Sequence, residues 1–262
     1  MGVMHAIAVP SVRPAPSAAA SAVGSLVVEA YANDGPRVAI PQPEIQLVVR
    51  CGPTAKDGLD VHAMGARDSV HRKFIRGGQW SATARLRLGT SQTVLGASAA
   101  SLAGRIVPLE DLWGEANARH LRERLASAGT PANASTLLRR ALTDRCIPHV
   151  PSVHTRLALA AAERLASANV NAVAAELGTS ERNLRRVFRE SLGLSPKEYA
   201  KLVRFRRAVD LARESAPAGW ASIAVAAGYY DQAHLIADFH AIAQTTPRAL
   251  LAELRAQPFP LH

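Results

Sequence analysis

The chain is predicted to be α+β: a mostly β, barrel-like N-terminal domain with following helices, then an all-α C-terminal domain carrying two helix–turn–helix motifs. Three observations predict this. Short apolar or alternating runs broken by Gly and Pro fill residues 26–128. Helical spacing of apolar residues takes over from Ser91 onward. Two stretches near the C-terminus, Val173–Phe188 and Ile223–Phe239, repeat one pattern about 50 residues apart.

Residues 1–25, rich in Ala, Ser and Pro, read as a tail. No charged start leads into a continuous apolar stretch there, which argues against a signal peptide. Strand-like runs follow at Leu26–Val28, Arg37–Ile40, Glu44–Arg50, Leu59–His62 and Ala82–Leu88, punctuated by Pro41, Pro43, Gly52-Pro53, Gly65 and Gly77-Gly78. This 26–128 segment is expected to be a barrel-like or sandwich unit that senses, dimerises or both. Helices are expected at about Ala116–Ser127 and Ala132–Arg145, the second capped by Thr130-Pro131. Residues 129–151 then form a helical connector, either a dimer face or a brace between domains.

In the C-terminal part, each repeat has a short helix of small residues that lets a second helix cross closely. A Gly at 178 or 228 ends it by taking the left-handed conformation the turn requires. Ser180 and Asp231 stand at the next N-cap. The following helices bury Leu184, Val187 and Phe188, or Leu235, Ile236 and Phe239, and leave their other faces free. The offset is 50 from Val173 to Ile223 and 51 from Leu184 to Leu235, so the second turn holds one extra residue. Between the copies, Ser195-Pro196-Lys197-Glu198 is a capping box. A helix from there to about Glu214, before Pro217 and Gly219, would be about 28 Å long. That is enough to hold two motifs about one DNA turn, ~34 Å, apart. Thr246-Pro247 caps a last helix to about Leu254, and residues 257–262 read as a second tail.

Leu177–Phe188, Gly193-Leu194-Ser195-Pro196, Gly228–His234 and Thr246-Pro247 together resemble the DNA-binding domain of the AraC/XylS class of bacterial transcriptional regulators over residues 152–256. The resemblance implies a seven-helix, two-lobed domain with a recognition helix in each lobe. On the first, the family's base-reading positions fall on Arg182, Arg185 and Arg186. Arginine can bond bidentately to guanine, so a G-containing half-site is expected. Arg185 could equally hold phosphate. Arg189 is expected at phosphate, as are Ser180 at the motif's N-cap and Lys201, Arg204 and Arg207 on the linking helix. On the second, the matching positions are Gln232, Ala233 and Ala237. Gln232 can read adenine, and His234 can touch base or phosphate. Asp238 adds a negative charge near the DNA unless it points away, so this copy is expected to contribute less specificity. More weakly, Gly96–Leu102 with Val107–Gly114 resembles the N-terminal domain of a subset of such regulators. That likeness implies no settled ligand.

Composition agrees without deciding the matter. The net charge is +10, which suits a polyanionic partner. Yet residues 156–256 hold 14 basic against 10 acidic residues and the rest 17 against 11, so the excess is not concentrated on the motif. Two cysteines, Cys51 and Cys146, suggest a reducing cytoplasm rather than a disulfide framework, and cannot supply a four-cysteine zinc site. No apolar run approaches a membrane span. His62 and His71 could meet as metal ligands in a barrel, but nothing fixes their spacing. Cys51 reads as packing, not as a reactive thiol. Trp80 and Trp113 could line an apolar pocket or serve as core.

The expected function is therefore a sequence-specific transcriptional regulator bound to double-stranded promoter DNA. It needs no cofactor or metal, and no catalytic residues are assigned. A small-molecule effector, RNA polymerase and a second copy of the chain are candidate partners. The alternative is a small-molecule-converting enzyme with an appended DNA-binding domain. Titratable groups clustered in one N-terminal cavity would favour the enzyme, and an apolar, aromatic cavity a sensor.

Overall fold

The computed structural model describes residues 22–146, 150–214 and 219–257. Pro217 and most of the two expected tails, residues 1–21 and 258–262, lie outside those residues. The N-terminal half begins with β1 (Val23–Tyr31), β2 (Gly35–Ala39) and β3 (Gln46–Cys51). A single 3₁₀ turn at Lys56–Gly58 leads to β4 (Leu59–Met64), β5 (His71–Ile75) and β6 (Gln79–Leu86). Then come α1 (Ser91–Leu95), α2 (Ala99–Leu102), β7 (Ile106–Pro108), α3 (Leu109–Trp113), α4 (Glu115–Ala126) and α5 (Pro131–Arg145). The C-terminal half is helical: α6 (Val153–Arg164), α7 (Val170–Glu176), α8 (Glu181–Leu192), α9 (Pro196–Glu214), α10 (Trp220–Ala227), α11 (Gln232–Ala243) and α12 (Pro247–Arg255).

The mixed fold is the one the patterning predicts, with a β-rich first half and a helical second half. The strands do not close. They form an antiparallel five-stranded sheet in the order β1-β6-β3-β4-β7 and a separate two-stranded ribbon, β2-β5. Alternation along β3, β4 and β6 gives the sheet two unlike faces. Leu47, Val49, Val61, Ala63, Ala82 and Ala84 point to one buried side, whereas Arg50, Asp60, His62 and Ser81 point to the other. The apolar side is covered by helices. Leu121 and Leu125 of α4 and Ala134, Leu138 and Leu142 of α5 join the same core.

Three expectations change. The N-terminal strand starts at Val23, so residues 23–25 belong to the sheet and not to a tail. The segment read as a connector contains α5, which lies on β1 and β6 as part of the N-terminal core. Val107 sits in the short strand β7, not in a helix. Trp113 is buried in that core, its indole N–H donating to the Val94 carbonyl at 3.1 Å while the Arg145 guanidinium lies 4.4 Å over its ring. Trp80 packs half-buried against the same layer, so both tryptophans join the core.

The contacts between the halves come from elsewhere. The ribbon reaches the end of the chain: Val70 N–H donates to the Ile242 carbonyl at 2.8 Å, and Arg72 forks onto Glu253 at 2.7 and 3.2 Å. Val38 and Ala66 are buried in the core of the second helical lobe. At the other lobe, α2 lies against the end of α8. Gly193 is left-handed there, at φ +80°, and a Cβ added to it would meet the Ala99 carbonyl oxygen at 2.7 Å. The seam beside it is tight, with a void of only about 10 Å³ among Leu86, Gly89, Ala99 and Leu192. Gly193→Ala should therefore cost more than the ~1 kcal/mol usual for a glycine replacement at an unsuitable φ, because it also pushes α2 off α8. A melting-temperature comparison with wild type would test this, and an unchanged value would refute the contact.

Candidate nucleic-acid interface

Each motif is built as its residues dictate. In the first, Gly178 turns the chain at φ +64° and the Ser180 hydroxyl oxygen accepts from the Asn183 N–H at 3.2 Å. Leu184, Val187 and Phe188 of α8 are fully buried, and α6 and α7 supply Ala158, Ala161, Val173 and Ala174 to the same core. In the second, Gly228 turns at φ +88° and the Asp231 carboxylate accepts from the His234 N–H at 2.7 Å. Leu235 and Phe239 of α11 pack on Phe205 of α9, the two phenyl centroids 4.7 Å apart. Helix α9 touches both cores: Ala200 lies in the first, while Leu202, Phe205, Ala208, Val209 and Ala212 lie in the second.

The opposite face of α8 is exposed and cationic. Arg182, Arg185, Arg186 and Arg189 all reach solvent. Arg185 is paired with Glu181 at 3.1 Å, Arg186 with Glu190 at 2.9 Å and with the Asn183 amide oxygen at 2.9 Å, and Arg189 with Glu198 at 3.9 Å. Exposed pairs of this kind contribute only ~0.3–0.5 kcal/mol, so a stronger anion can displace them. Arg182 has no ion-pair partner among the described residues. The Ser180 hydroxyl, although its oxygen caps the helix, keeps its proton free to donate.

The exposed face of α11 carries Gln232, Ala233, His234 and Ala237 and is nearly uncharged. His234 is steadied by an edge-on contact with the Tyr229 ring, centroids 5.2 Å apart. Asp238 does not face outward. It is buried, with Lys201 at 3.6 Å and Arg204 at 3.8 Å from its carboxylate. Lys201 and Arg204, expected at phosphate, are turned to Asp238 and brace α9 against α11. Arg204 also lies over the Tyr229 ring at 5.5 Å. Burial pushes the Tyr229 hydroxyl pKa well up, and the Asp238 charge adds to the shift. Arg207 is exposed. The sequence could not show this brace, because its charged members lie on two helices more than 30 residues apart.

Residues 173–253 match the family described as a helix-turn-helix domain. The C-terminal region is a helix–turn–helix domain of the AraC type. No curated protein matches the chain. Among solved structures, an AraC-type transcriptional regulator from Chromobacterium violaceum is similar over 41% of this chain and 99% of its own, at 26% identity and a TM-score of 0.34. ToxT from Vibrio cholerae with a bound unsaturated fatty acid is similar over 89% and 97%, at 11% identity and a TM-score of 0.48. ToxT bound to (E)-4-(8-methylnaphthalen-1-yl)but-3-enoic acid is similar over 88% and 98%, at 10% identity and a TM-score of 0.47.

Outside that helix–turn–helix domain, the N-terminal half holds a cavity of about 240 Å³ at the outer edge of β4. Its polar members are largely tied to one another. Arg50 forks onto Asp60 at 2.7 and 3.1 Å, and His62 Nδ1 lies 3.0 Å from the same carboxylate. Burial works to raise the Asp60 pKa, but His62 and Arg50 outweigh it and hold the carboxyl at about 2. Its lining includes no Ser, Thr, Cys or Tyr that could act as a nucleophile beside that His–Asp pair. His71 lies on the separate ribbon, so the two histidines weighed as metal ligands are on different sheets. Among the described residues no helix is long and apolar enough to cross a membrane.

Removing the buried carboxylate should expose the second lobe's dependence on it. Asp238→Ala leaves Lys201 and Arg204 facing one another without a counter-charge, and should cost about 1–3 kcal/mol. Urea unfolding followed by Trp220 fluorescence would measure this; an unaltered midpoint would show the brace to be idle.

Proposed function

We propose that the chain is a sequence-specific transcriptional regulator that binds promoter DNA through α8 and α11. The observation that carries this reading is the outward, solvent-exposed set of four arginines on α8, held on a helix whose inner face is fully buried. Arg182 and Arg186 read bases, with guanine the favoured partner of a guanidinium. Arg185 shares that role, while Arg189, Arg207 and the Ser180 hydroxyl hold phosphate. Gln232, Ala233 and His234 make the lighter contacts of the second motif, since α11 carries no Lys or Arg. The seven helices from residue 153 to 255 form the DNA-binding unit, and the N-terminal half, from β1 to α5, senses a small molecule. The fatty-acid-bound state of ToxT makes a ligand-responsive regulator a reasonable comparison. The β4 cavity gathers titratable groups and no Phe, Tyr or Trp, which by the criterion above favours the enzyme alternative. We read it as a binding site because Asp60 is tied to Arg50 and His62, and Glu110 to Arg122. The ribbon's grip on α11 and α12 gives that half a physical handle on the second motif.

Selection of bound sequences from a random DNA pool should return a G-containing half-site next to a less defined one. On that operator, Arg186→Ala should abolish binding in a gel-shift titration, whereas Gln232→Ala should weaken it by about 1–3 kcal/mol or less. Equal losses from the two substitutions would contradict the asymmetry, and no enrichment from the pool would contradict the assignment.

A further inference from the structure

The β4 cavity exists because a strand stops early. Strand β7 pairs with β4 only across His62–Met64, and its last residue, Pro108, has no N–H to continue the ladder. The edge of β4 from Leu59 to Val61 is thus left without a neighbouring strand. Ile106 and Pro108 give the cavity its exposed apolar surface, while Leu59 and Val61 are buried in the core on the sheet's other face. The cavity's volume is about 240 Å³; an apolar cavity of about 150 Å³ already admits benzene.

The charges around that surface balance. Arg50, Lys56 and Arg122 face Asp57, Asp60 and Glu110. Two pairs are closed, Arg50 with Asp60 at 2.7 Å and Arg122 with Glu110 at 3.1 Å. The third is open. Lys56 and Asp57 are both exposed on the 3₁₀ turn at the cavity, and neither has an ion-pair partner among the described residues. A lone anion placed there would meet Asp57, and a lone cation would meet Lys56. A molecule carrying both charges finds a counter-charge for each, and the surface of Ile106 and Pro108 beside them suits an apolar group.

We propose that this cavity binds a small zwitterion with an apolar side group, an apolar α-amino acid being the simplest member. Its carboxylate lies toward Lys56, its ammonium toward Asp57, and its side group on Ile106 and Pro108. The assignment rests on the sensing role given above to the N-terminal half, and it names the ligand class.

Titration calorimetry on the full chain with L-phenylalanine and L-leucine tests it. Both should bind. 3-Phenylpropanoate, which lacks the ammonium, and phenylalaninamide, which lacks the carboxylate, should each bind at least tenfold more weakly than L-phenylalanine. Lys56→Gln and Asp57→Asn should each cost at least tenfold in amino-acid affinity with the melting temperature unchanged. Asparagine is chosen because Asp57 sits at φ +53°, a conformation Asn tolerates. The proposal is overturned if neither amino acid binds at millimolar concentration, if both variants retain full affinity, or if 3-phenylpropanoate binds as well as L-phenylalanine. Operator affinity measured with and without L-phenylalanine separates the two readings. Binding to the cavity that leaves operator affinity unaltered keeps the site and removes the sensing role.

Discussion

The relation between the two motifs depends on one helix buried at both ends. Helix α9 gives Ala200 to the core under α8 and Phe205, Ala208 and Val209 to the core under α11. A rod of 19 residues, about 28 Å long, cannot change its register in one core without disturbing the other. Helices α8 and α11 therefore hold their places through apolar packing, while the arginines of α8 face solvent, three of them in exposed ion pairs. The Lys201–Asp238–Arg204 cluster adds an electrostatic tie at the second end only. The two lobes are thus built on one plan but secured differently.

Most of the C-terminal half was legible in the sequence because its determinants are local. Caps, turn glycines and helical spacing lie within a few residues of the features they specify. Ser180, Asp231, Ser195 with Glu198, and Thr246 all cap as their positions suggest. The capping box even appears with both reciprocal bonds, Ser195 N–H to Glu198 at 2.7 Å and Glu198 N–H to Ser195 at 3.3 Å. What could not be read was the orientation of long cations. Arg204 and Arg207 are three residues apart on one helix, yet one turns to a buried carboxylate and the other to solvent. That choice is made by Asp238, which lies 34 residues after Arg204 in the chain.

The N-terminal half was harder because its pairing is non-local. The alternating runs gave most of the strands, but β5 has little apolar character, with His71, Arg72 and Lys73 exposed, and it escaped notice. Without it the ribbon could not be foreseen, nor the open sheet that results when two strands leave to grip another domain. The segment from 131 to 145 misled for a related reason. Its helix was plain, but its partners, β1 and β6, are far away in sequence, and only assembly shows that it closes the core instead of joining domains.

The two clasps between the halves differ in kind. At α8 the seat is steric, a glycine backbone pressed against the Ala99 carbonyl. At α12 it is ionic and partly solvated, Arg72 on Glu253 with side chains 41% and 35% exposed. Added electrolyte screens the second clasp and hardly touches the first. A rise in ionic strength would thus loosen that corner of the ribbon, while Val38 and Ala66, buried in the second lobe's core, and the Val70–Ile242 hydrogen bond keep it seated.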